Sequence, residues 1–234
     1  MCARMMIKIN GIDIHYEDVG EGRTIIFLHG NGQDVSMFSE AVEYFRERYR
    51  CITVDSRGHG SSEWGVKELT IPMLADDIVK FIEAKDLKDV TIIGFSDGGN
   101  IGLEAAAVSS RIKELMVVGA NLYPEGLTEF TRHAINVTRA LCLPLCFIPS
   151  IMRTRRRYRL MSHQPPITDD KLSKITARTL VIAGTEDMVK TSHTEEIFEK
   201  VPCASIKLFE GRGHFLFVTV PDELFRIMEG FMED

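Results

Sequence analysis

The chain has 234 residues, 44% of them apolar and 26% charged, which is the size and balance of one α/β domain with a large core. A net charge of −6 offers no general attraction to nucleic acid or to an anionic membrane. No run approaches the roughly eighteen apolar residues of a membrane span. Arg4 and Lys8 interrupt the first apolar residues, so no signal peptide is expected. The five cysteines (Cys2, Cys51, Cys142, Cys146 and Cys203) lack metal-ligand spacing and read as reduced thiols of a cytoplasmic protein.

Two short alternating runs, 5–9 and 12–19, meet at Asn10-Gly11, a strong hairpin signal. His15 falls in the second and reads as a half-exposed strand residue rather than a ligand. The continuous apolar run 24–28 predicts a strand buried on both faces. It ends in His29-Gly30-Asn31-Gly32-Gln33-Asp34, a glycine-rich loop able to turn backbone N–H groups toward a reacting oxygen. Asp34 or Ser36 would cap a helix reaching Arg48. His29 is expected to bond neighbouring loop backbone and is not assigned to catalysis. A strand at 51–55 leads to a compact loop at 56–62, which Asp55 and Arg57 are expected to hold. Pro72 opens a helix to about Lys85 with Leu74, Ile78, Phe81 and Ile82 on one face.

The run 90–95 is the next buried strand, and the residues after Ser96 read as a helix. Ser96 therefore stands on a strand-to-helix turn, in Gly94-Phe95-Ser96-Asp97-Gly98. Side chains at 94 and 98 would clash in so tight a turn, and the hydroxyl is left exposed at the sheet edge above a helix N-terminus. The competing reading is a glycine-rich turn with a capping serine. Strand, helix and the order of downstream partners favour the nucleophile.

A further strand is predicted at 115–119. Between Asn121 and about Ile175 the alternating pattern stops, and five of the eight prolines fall there. This stretch holds an apolar run, 141–148, and then Arg153, Arg155, Arg156, Arg157 and Arg159. A helical cap over the site is the expectation. The arginines read as a solvated helix face in preference to an anionic-substrate or membrane-surface patch, and the apolar run as an acyl-pocket wall or core contact. Strand 179–184 then precedes Glu186 and Asp187, a helix is expected over 192–200, and strand 205–209 precedes Gly211-Arg212-Gly213-His214. A closing helix reaches Met232.

Ser96, Asp187 and His214 each follow a predicted strand, and in a parallel sheet those ends share one edge. Serine needs a base, histidine titrates near neutrality, and a carboxylate can fix the imidazole tautomer. These landmarks resemble the α/β-hydrolase superfamily across nearly the whole chain. The resemblance implies a mostly parallel eight-stranded sheet flanked by helices, with core residues 1–120 and 176–234 and a small helical cap at 121–175. It implies Ser96 as nucleophile, His214 as general base and Asp187 as the orienting acid, with Glu186 as competitor. The Asn31 and Asp97 amides would form the oxyanion hole, with no cofactor and no metal. Serine at 96 argues against epoxide hydrolases and haloalkane dehalogenases, family members with an aspartate nucleophile. The implied activity is serine hydrolysis of a small carboxylic ester or related acyl bond, without stable membrane insertion. Carbon–carbon bond hydrolysis, perhydrolysis and non-catalytic ligand binding on the same fold stay open. The elbow is also similar to valacyclovir-hydrolase-like members, in which case the Asp97 carboxylate would suit a substrate ammonium. The other reading of Asp97 is an acid stabilised by the helix dipole.

Overall fold

The computed structural model describes residues 5–66 and 68–233, so Cys2 and Arg4 lie outside the described residues. Strands β1 (Met5–Ile9) and β2 (Ile12–Val19) pair antiparallel around Asn10 and Gly11. Their φ values of 49° and 78° are the two positive angles that a tight I′ hairpin requires. The remaining strands are β3 (Thr24–Leu28), β4 (Arg50–Val54), β5 (Val90–Phe95), β6 (Ile112–Val118), β7 (Arg178–Gly184) and β8 (Ala204–Phe209). They form one sheet in the order β1-β2-β4-β3-β5-β6-β7-β8, parallel from β4 through β8. From β3 the chain goes outward to β4 and then returns to the other flank of β3 with β5. Loops leaving β3 and β5 therefore diverge, and a crevice opens between their carboxyl ends.

The helices are α1 (Ser39–Phe45), α2 (Ile71–Ala84), α3 (Asp97–Ala106), α4 (Glu129–Cys142), α5 (Pro149–His163), α6 (Asp169–Leu172), α7 (Thr191–Lys200), α8 (Leu216–Thr219) and α9 (Pro221–Glu233). Alternate strand residues feed opposite faces of the sheet. Ile26, Leu28, Ile52 and Ile92 pack with α2 and α3, whereas Ile25, Phe27, Ile93 and Phe95 pack with α1 and α9. Two expected helices are divided. Asp34 caps a 3₁₀ turn, accepting the Ser36 N–H, and α1 ends at Phe45 rather than Arg48. The closing helix is broken before Pro221, which lacks the N–H to continue it.

The 56–62 loop is fastened by buried polar groups. Asp55 accepts the N–H groups of Val35 and Ser61, both at 2.8 Å, and contacts His15 Nδ1 at 2.8 Å. His15 is only 3% exposed, which corrects the expectation of a half-exposed residue. Its carboxylate partner stabilises a ring that would otherwise be costly to bury. Arg57 holds Asp77 of α2 through two bonds of 2.7 Å.

Between β6 and β7 the chain leaves the sheet and forms α4 and α5, which pack on one another. Among the described residues the apolar run 141–148 joins neither the core nor the lining of the cavity that Ser96 shares: Leu141 is 70% and Phe147 78% exposed. Sequence could not reveal that this run is the turn joining two helices that protrude from the sheet. The arginines also depart from a simple solvated face. Arg157 donates to the Gly58 carbonyl at 2.7 and 3.2 Å, and Arg159 pairs with Glu68 at 3.1 Å.

Arg57 and Asp77 have side chains only 5% and 4% exposed. Removing the acid alone strands a buried guanidinium, so Asp77→Ala should lower stability by about 3–5 kcal/mol in denaturant unfolding. A loss below about 1 kcal/mol would show that water already reaches this pair.

Candidate active site

β5 ends at Phe95 and α3 begins at Asp97, so Ser96 alone makes the turn between them. Its backbone adopts φ 54° and ψ −119°, a conformation that costs a non-glycine residue about 1–3 kcal/mol. Surrounding bonds hold it there. The Ser96 N–H donates to the Val118 carbonyl at 2.8 Å, and its own carbonyl accepts from Gly99 and Asn100 at 2.9 and 3.1 Å. A Cβ at Gly94 would lie 2.3 Å from the Gly98 carbonyl oxygen, and one at Gly98 1.9 Å from that of Leu28. Both glycines are needed for close approach, since neither has a positive φ. The Ser96 side chain makes no capping bond to α3, contrary to the capping-serine alternative.

His214 follows β8 and Asp187 follows β7, and the two meet with Nδ1 and Oδ1 2.7 Å apart. Both are buried. Asp187 Oδ1 also accepts the Val189 N–H at 2.9 Å, which orients the carboxylate, while Oδ2 is buried without a partner among the described residues. Glu186 is exposed, and its backbone N–H donates to the Arg212 carbonyl at 2.9 Å. Phe95 packs against the imidazole, with ring centroids 4.7 Å apart. Gly119, a position that sequence reasoning passed over, lies beneath the same ring at φ 64°. A Cβ there would come within 2.8 Å of His214 Cε1 and Nδ1. A lone glycine ending an apolar strand run was the available signal.

Ser96, His214 and Asn31 line one cavity of about 590 Å³. Phe130, Ile135, Tyr158 and Met161 of α4 and α5 form its outer wall, with Met188 and Phe215 beside them. Among the described residues no hydrogen bond joins Ser96 Oγ to the His214 ring. In unliganded sites such bonds are often long and tighten only around substrate. The backbone N–H groups of Asn31 and Asp97 likewise donate to no acceptor among the described residues. Their side chains are joined instead: Asn31 Nδ2 donates to Asp97 Oδ2 at 2.8 Å and to the Arg157 carbonyl at 3.0 Å.

The Asp97 carboxylate is buried and absent from the cavity lining, so it does not face the space where a substrate ammonium would sit. Burial pushes it above the ordinary carboxylate range, opposed by the Asn31 amide and by nearby His214. His29 stays with the backbone. Ser56 N–H donates to Nε2 at 3.1 Å, which leaves Nδ1 to donate to the Gly30 carbonyl at 2.8 Å. Burial lowers its pKa and keeps it neutral. Among the described residues no group of three His, Cys, Asp or Glu is arranged to hold a metal ion. Cys51, Cys142, Cys146 and Cys203 are free thiols, and burial pushes that of Cys51 up to about 12.

Residues 23–138 match the family model described as the alpha/beta hydrolase fold. Over 94% of this chain and 95% of its own length, a putative carbamate hydrolase RutD of Caulobacter vibrioides is 27% identical. The chain has the α/β-hydrolase fold. The human serine hydrolase BPHL is 25% identical, with 97% of this chain and 85% of that protein covered. An esterase from Exiguobacterium antarcticum superposes with a TM-score of 0.84 at 22% identity, covering 99% of this chain and all of the other, a likeness of fold.

Because the Asp97 pKa is raised in the folded state, that state holds its proton more tightly than the unfolded chain, whose carboxyl titrates near 3.8. This contribution to stability is present below 3.8 and is lost as pH rises through the folded value. Asp97→Asn, whose Oδ1 can still accept from Asn31, should therefore be more stable than wild type at neutral pH, with the difference vanishing in acid. Denaturant midpoints measured across pH decide this, and a less stable variant at neutral pH would contradict it.

Proposed function

We propose that this protein is a serine hydrolase that cleaves a small carboxylic ester or related acyl bond through an acyl-enzyme on Ser96. The observation that carries this reading is a strained, uncapped serine sharing one cavity with a histidine whose Nδ1 is held by a buried carboxylate. With Nδ1–H directed at Asp187, Nε2 is the basic nitrogen. It takes the Ser96 proton as Oγ attacks the substrate carbonyl carbon. The Asn31 and Asp97 amides stabilise the resulting oxyanion, each donor worth about 2.7–4 kcal/mol in the barrier. The tetrahedral intermediate expels the alcohol, which receives the proton from His214. Water, deprotonated by His214, then attacks the acyl-enzyme and releases the acid, restoring Ser96.

Residues 121–175 act as the cap, with α4 and α5 closing the acyl side of the cavity. Walls built largely from Phe130, Ile135, Met161 and Met188 favour an apolar acyl group, and Arg157, which also lines the cavity, disfavours a cationic one. With its carboxylate turned to Asn31, Asp97 serves through its backbone. The RutD relative makes carbamates a sensible member of a substrate panel beside esters.

Ser96→Ala should lower kcat by roughly 10⁴–10⁶ with the fold intact. On wild type, neutral esters should match or exceed α-amino esters in kcat/KM, and Asp97→Asn should leave their ratio unchanged. An α-amino preference that disappears in Asp97→Asn would overturn the assignment of that side chain. Retained turnover in Ser96→Ala would overturn the nucleophile.

A further inference from the structure

The helical segment between β6 and β7 differs in charge and surface from the rest of the molecule. From Glu129 to His163 there are seven arginines and one carboxylate, Glu129 itself, a net +6 within a chain of net −6. Among the described residues only one of these arginines, Arg159, reaches a carboxylate, Glu68. At the turn joining α4 to α5, Leu141, Leu143, Leu145, Phe147 and Ile148 are all exposed. Arg139 stands in the last turn of α4, and Arg153, Arg155 and Arg156 stand in the first turns of α5. The apolar tip is thus flanked by cations lacking acidic partners.

We propose that this tip docks on an anionic lipid surface. Leucine and phenylalanine side chains at a tip can enter the boundary between headgroups and acyl chains, while adjacent guanidinium groups meet the headgroup phosphates. A second copy docked tip to tip would set one +6 segment against another, whereas an anionic headgroup layer complements both the guanidinium groups and the apolar side chains between them. No helix among the described residues is long and apolar enough to cross a membrane, so the contact is a surface one. Thr138, one turn before Leu141, and Thr154 of α5 line the active-site cavity. Docking therefore brings that end of the cavity beside the lipid. The surface stands independently of the chemistry proposed for Ser96.

Flotation of the full chain with phosphatidylcholine vesicles, with and without phosphatidylglycerol, tests this. Binding should require phosphatidylglycerol and should be released by raised salt. Phe147→Ser and Arg153→Glu should each weaken it by roughly fivefold or more. Neither residue lines the cavity, so turnover of a soluble ester should be unchanged in both variants. The proposal is overturned by failure to bind phosphatidylglycerol vesicles, or by binding that both variants retain in full. It is equally overturned if the protein ignores vesicles and Phe147→Ser instead converts a dimer to a monomer, since a second copy would then cover the tip.

Discussion

The backbone contact between two loops at the centre of the sheet governs everything else in the site. α3 begins so close to the end of β3 that Gly98 has no room for a side chain against the Leu28 carbonyl. That approach compresses the turn after β5 to a single residue and forces Ser96 into a positive φ. The cost is local and about 1–3 kcal/mol, far less than the burial energy of the strands and helices on either side. Hydrogen bonds to Val118, Gly99 and Asn100 over-determine the conformation, so the strain cannot relax without breaking sheet or helix. A rigid scaffold thereby delivers a hydroxyl to a fixed point at the crevice where the strand order reverses.

The other groups reach that point by the same topology. Parallel strands β7 and β8 bring Asp187 and His214 to the edge that carries Ser96, and Gly119 at the end of β6 leaves space for the imidazole. The buried Asp187 carboxylate fixes ring orientation, and Phe95 packs against the ring face. On the β3 side, the Asn31–Asp97 side-chain bond joins the two loops whose amides are proposed to bind the oxyanion. That bond also explains why an acid at position 97 need not select a cationic substrate.

Features ruled by local geometry were legible in the sequence. Asn10-Gly11 announces its turn because few residues tolerate two positive φ values in succession. Gly94 and Gly98 announce the elbow because no side chain fits there. The preference for Asp187 over Glu186 rests on the family resemblance and not on local geometry; in the structure Asp187 Oδ1 lies 2.7 Å from His214 Nδ1. Long-range pairings were not readable. The burial of His15 depends on Asp55, forty residues away, and Gly119 acquires its role only when β8 lies beside β7. The 141–148 run misled because apolar residues usually signal interior. A turn that projects from the sheet exposes them, and no periodicity within eight residues distinguishes the two fates.

Labelling with a fluorophosphonate followed by mass-spectrometric site mapping tests the activation of Ser96 most directly. Wild type should carry the label on Ser96 alone, and Ser96→Ala should carry none. Folded wild-type protein that resists labelling, or a variant labelled as fully as wild type, would contradict the assignment and favour a ligand-binding protein built on the same fold.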